Sequence, residues 1–76
     1  MPKLPVANGR EVIRALERAG FVFDRQVGSH VTLWNRETRR SATVPDHGAQ
    51  DLPVGTMRGI IRDSGLTVDE FRRLLR

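Results

Sequence analysis

Histidine is the side chain whose ordinary pKa, about 6.5, lets it take up and return a proton near neutral pH. The sequence holds two, His30 and His47. His30 lies in the triplet Gly28-Ser29-His30, where a flexible turn gives way to a regular strand. An imidazole there is held firmly yet stays reachable. Acting as a general base on RNA, it would remove the proton from a ribose 2′-hydroxyl and create an internal nucleophile that attacks the adjacent phosphate. That route needs no metal ion. The plain alternative is a solvated strand histidine, because most histidines transfer no protons.

His47 follows Pro45 and Asp46 in a polar loop. Three roles stay open to it: a loop residue bonding locally, the proton donor to the leaving 5′-oxygen, or a metal ligand together with Asp46 and His30. The spacing of those three matches no recognised ligand motif, and no His-x-x-x-His pair or carboxylate cluster supports it. Neither a metal nor another cofactor is expected.

Around the histidines the sequence is cationic. Its 13 Lys+Arg against 9 Asp+Glu give a net charge of +4, and every one of those cations except Lys3 is arginine. The planar guanidinium fork pairs well with phosphate, so an anionic partner is expected. Arg36, Arg39 and Arg40 cluster about a hairpin with Glu37 as the only nearby acid. With Arg25 they are expected to grip an RNA backbone, Ser29 and Trp34 adding contacts beside His30. An exposed indole stacks on an unpaired base; its other reading is packing over the sheet edge. Arg10, Arg14 and Arg18 recur every four residues and form a stripe, read equally as a phosphate contact or as a solvated face paired with Glu11 and Glu17. Gly55-Thr56 opens a helix and offers free amides to an anion, as every helix start does.

These residues need a scaffold, and 76 residues allow one small domain. Hydrophobic residues at 38% are enough for a modest core. The absence of cysteine excludes disulfides, thiolate zinc sites and cysteine nucleophiles. No apolar stretch is long enough to span a membrane, and the first ten residues lack the apolar region of a signal peptide. A cytoplasmic protein is expected.

Residues 1–7 hold two prolines and read as an extended arm, with order beginning at Asn8. Asn8 and Glu11 form a capping box, and Val12, Ile13, Leu16 and Ala19 share a face, so the spacing predicts a helix over 9–19 closed by Gly20. Phe21-Val22-Phe23 predicts a short strand leading to a turn at Gly28. Residues 29–35 predict the clearest strand, with Val31 and Leu33 on one face and His30, Thr32 and Trp34 on the other. A turn over 35–38 leads to a third strand over 40–44, ended by Pro45. Thr56 is expected to begin a second helix closed by Gly65, and Thr67-x-x-Glu70 a third, with Leu66 and Phe71 as a hydrophobic staple. The result is an α+β fold of order α-β-β-β-α with its last helix broken at Gly65. A three-stranded antiparallel sheet is covered by helices on one face and carries His30 on the other. This is the layout of double-stranded-RNA-binding domains.

With those residues in place, the chain resembles the HicA family of toxin-antitoxin mRNA interferases over nearly its whole length. The resemblance is carried by Asn8-Gly9-Arg10-Glu11-Val12-Ile13-Arg14-Ala15-Leu16, Ala19-Gly20-Phe21, Gly28-Ser29-His30, Val44-Pro45-Asp46-His47, Gly55-Thr56 with Ile60, and Gly65-Leu66 with Phe71. It implies a double-stranded-RNA-binding-like fold, cleavage of messenger RNA with His30 as the single catalytic histidine, and a HicB-type antitoxin that covers the His30 face. One departure is Asp51-Leu52-Pro53, where the family often carries lysines. A non-catalytic RNA-binding module of the same fold is the competing function. A DNA-binding helix-turn-helix over 57–75 ranks behind both, because Asp69 and Glu70 at the start of its second helix would meet phosphates with the wrong charge. Direct DNA binding is therefore not expected.

Overall fold

The computed structural model describes residues 3–76. Helix α1 (Gly9–Arg18) starts with the expected capping box: Asn8 Oδ1 accepts from the Glu11 amide and Glu11 Oε1 from the Asn8 amide, each at 2.9 Å. Val12, Ala15 and Leu16 are its buried face, and Gly20, at φ +99°, turns the chain out of it.

Strands β1 (Val22–Val27), β2 (His30–Asn35) and β3 (Arg40–Pro45) form one antiparallel sheet in the order β1-β2-β3. β1 is longer than Phe21-Val22-Phe23, because Asp24, Arg25 and Gln26 also pair with β2. All six of its residues are exposed, so this edge strand has no buried face to print an alternation on the sequence. Its ladder also holds a β-bulge between Phe23, which pairs with Leu33, and Arg25, which pairs with Thr32. The hairpin joining β2 to β3 is built by Asn35, whose side-chain oxygen accepts from the Glu37 and Thr38 amides while its amide group donates to the Ala19 carbonyl. Within it Arg39 takes the left-handed conformation, φ +60°.

Helix α2 (Val54–Ser64) begins two residues before Thr56, the start expected from sequence. Pro53 is its N-cap and makes no side-chain bond, so the polar start signal that marks the other two helices is absent here. Gly65 ends α2 in the left-handed region at φ +77°. Helix α3 (Val68–Leu74) opens on the second capping box, Thr67 with Glu70. The Thr67 amide, then its hydroxyl, and Arg73 hold the Glu70 carboxyl below its ordinary range.

The helices cover one face of the sheet. Val31, Leu33, Ala42 and Val44 from that face join Val12, Leu16, Met57, Ile60 and Phe71 in the core. The order α-β-β-β-α-α, with an antiparallel sheet covered on one side, is the double-stranded-RNA-binding-domain-like α+β fold. Order also starts earlier than Asn8: Ala7 is buried, and its carbonyl accepts from the Leu52 amide at 2.9 Å. Of the expected arm, Leu4 also packs against the core, and Met1 and Pro2 lie outside the described residues.

Gly9 marks the closest approach at any glycine of the fold. A Cβ there would run into the Pro45 carbonyl oxygen and lie 3.0 Å from Asp46 Cα, so the first turn of α1 rests directly on the end of β3. Gly9→Ala is expected to cost about 1–3 kcal/mol through overpacking, lowering the melting temperature by on the order of 10 °C. Thermal unfolding followed by circular dichroism checks this; an unchanged midpoint would mean that α1 lifts off β3 freely.

Candidate active site

The ladder pairs residues into rows across the uncovered face. Val27, His30 and Pro45 make one row, Arg25, Thr32 and Thr43 the next, and Val22, Trp34 and Ser41 the third. His30 is exposed at the start of the central strand, and among the described residues no hydrogen bond occupies its ring. Trp34 shares its face as expected, half-buried. Thr32 also lies on this face but is only 8% exposed, with its hydroxyl 3.0 Å from that of Thr43. A central strand hides a small side chain between its neighbours even with no layer above it.

The arginines separate. Arg25 stands one row from His30, placed there by the bulge, which absorbs Asp24 and turns Arg25 to the uncovered face. Its guanidinium is 3.0 Å from the Asp24 carboxylate, and both side chains stay exposed. Arg36 and Arg39 lie at the opposite end of β2, roughly 17 Å from His30 at about 3.3 Å per strand residue. Arg40 follows the period of Ala42 and Val44 and so stands on the helix side, its side chain lying against Gly65. The hairpin group thus does not converge on His30. On α1, Arg18 donates to the Leu74 and Arg76 carbonyls at 2.6 and 3.3 Å, closing the end of α3, while Arg10 and Arg14 remain exposed. Glu11, occupied by its capping box, is not their ion-pair partner.

What the linear pattern does not reveal is that His47 lines the same cleft as His30. Both line a cleft of about 270 Å³, with Pro45 from the sheet, Gln50, Asp51 and Leu52 from the loop over 46–53, and Pro53 and Thr56 from the start of α2. The loop is tied at both ends. The Asp46 amide donates to the Ser29 carbonyl at 2.7 Å, extending the β2–β3 ladder one step past Pro45. At the other end Asn8 and Asp51 form a bridge, and Leu52 is buried. Ser29, half-buried, therefore supports the loop through its backbone. Beneath it, Asp46 Oδ1 is buried with no hydrogen-bond partner among the described residues. The one cue to this grouping was Pro45, the last residue of β3, which pairs with His30 just before the chain enters the loop.

A family model for the HicA toxin of bacterial toxin-antitoxin systems matches residues 9–66 of the 76. The chain belongs to the HicA toxin family. In this HicA member the match runs from the first residue of α1 to Leu66, so it takes in the sheet, His30, the cleft and α2, and stops short of α3. No curated protein sequence matches the chain. Among the described residues of this HicA chain no three His, Asp or Glu side chains group to hold a metal ion, so His30, Asp46 and His47 do not form the ligand set considered from sequence. No helix among those residues is long and apolar enough to cross a membrane.

Proposed function

We propose that this HicA toxin is a metal-independent endoribonuclease that cleaves messenger RNA, with His30 moving the proton of the 2′-hydroxyl. The observation that carries the reading is an unencumbered imidazole on the uncovered sheet face, at the edge of a polar cleft, in a chain of a toxin family. Arg25, one row away, is the cation best placed to hold the phosphate under attack. Trp34 offers a stacking surface further along the face. Arg36 and Arg39 contact the strand of RNA at a distance, steering and holding it rather than acting on the scissile bond.

A HicB-type antitoxin neutralises the toxin by covering this face. Val22 and Val27 sit on it, 54% and 69% exposed, and a protein laid over His30 would take both out of water. The same cover would shut RNA out of the cleft.

Purified toxin is expected to cleave messenger RNA undiminished in excess chelator, because the nucleophile belongs to the substrate and the base to the protein. Gel analysis of the products, with their ends typed, checks this. Cleavage that vanishes in chelator and returns with a divalent ion would replace the imidazole mechanism with a metal one. Binding without turnover would reduce the protein to an RNA-binding module.

A further inference from the structure

We propose that His47 is the general acid of the cleavage that His30 initiates, delivering a proton to the departing 5′-oxygen; the inference rests on the nuclease reading above. The chemistry demands two groups on different sides of one phosphate. In an in-line displacement the attacking 2′-oxygen and the leaving 5′-oxygen lie on opposite sides of phosphorus, so the group taking a proton cannot also supply the other. Here two imidazoles border one cleft from two separate elements, His30 from the head of β2 and His47 from the loop after β3. At about 270 Å³ the cleft they border is large enough to admit a phosphodiester.

No other side chain of the cleft does this work as well. Among the other polar side chains that line it, the Gln50 amide and the Thr56 hydroxyl are far too weak as acids. Nor is His47 on a free tether, since the backbone is fixed at Asp46 by Ser29 and at Leu52 by Ala7. In the step itself, neutral His30 accepts the 2′-hydroxyl proton as the 2′-oxygen bonds to phosphorus. The bond from phosphorus to the 5′-oxygen breaks, and protonated His47 gives that oxygen its proton. The products are a 2′,3′-cyclic phosphate and a free 5′-hydroxyl, with His30 protonated and His47 neutral.

The test uses leaving-group chemistry. A cleavage site is first mapped with wild-type toxin, and an oligoribonucleotide is made with sulfur in place of the bridging 5′-oxygen there. A thiolate departs without protonation. His47→Ala should slow the oxygen substrate by about 10²-fold or more yet slow the sulfur substrate far less, whereas His30→Ala should slow both. Because His47 is exposed, the melting temperature should hold. Equal losses on the two substrates would make His47 a binding or positioning residue and overturn the proposal. So would full activity of the variant on oxygen, or sulfur rescue of His30→Ala in its place. Failure of the wild type to cut any RNA would sink the nuclease reading itself, a result separate from all of these.

Discussion

Replacing His30 with Ala is expected to slow RNA cleavage by about 10²- to 10⁴-fold, the contribution of a positioned proton-transfer group. The fold should be untouched. His30 is exposed and its ring is bonded to no described residue, so its removal opens no cavity and strands no buried donor. A surface change of that kind moves stability by about 0.5 kcal/mol at most. RNA binding should survive as well, since salt-sensitive affinity comes chiefly from arginines on phosphate. Single-turnover rates for the wild type and the variant, measured beside their melting curves, make the comparison. In cells the variant should no longer arrest growth without the antitoxin. Undiminished cleavage by a folded variant would take His30 out of the reaction.

Phe71→Ala is expected to be the most damaging change to the fold, at about 3–5 kcal/mol for the emptied volume. Phe71 is fully buried and heads the group of large side chains sealed from solvent. A chain of 76 residues has on the order of 4–11 kcal/mol of stability in all. The variant should therefore melt at least about 15 °C lower, or fail to fold at physiological temperature. The position tests more than packing, because α3 lies beyond the family match. Arg18 bonds to the carbonyl of Leu74, the last residue of α3, and to that of Arg76 just beyond it, and Arg72 of α3 bonds to the Lys3 carbonyl at 3.1 Å, so the helix is tied to both α1 and Lys3. A shift of only a few degrees on thermal unfolding would show α3 to be an appendage that the core does not need.

Where side chains cap their own backbone, the sequence is a reliable guide. Asn8 with Glu11, and Thr67 with Glu70, are local chemistry, and both boxes form where the spacing puts them. The alternation of Val31 and Leu33 against His30, Thr32 and Trp34 is equally local, and it placed the histidine on the correct side of the sheet. β1 and the start of α2 were less legible. The polar residues of β1 are strand only because β2 supplies their partners, and α2 opens on Pro53, whose side chain bonds to nothing. The site was half visible. His30 could be placed by period, but its sharing a cleft with His47 depends on a loop fastened through Leu52 to Ala7, and no spacing encodes that. Arg40 is adjacent to Arg39 in sequence, yet the strand period places it on the helix side of the sheet, against Gly65.

The irregularity at Asp24 divides β1 into two parts with separate allegiances. Phe23 and the residues before it keep step with the far end of β2, while Arg25 to Val27 keep step with the end that bears His30. Position 24 is thus the strand's expansion joint. A chain losing that residue alone would close the strand into an unbroken ladder, with both alignments kept and Arg25 still on the uncovered face.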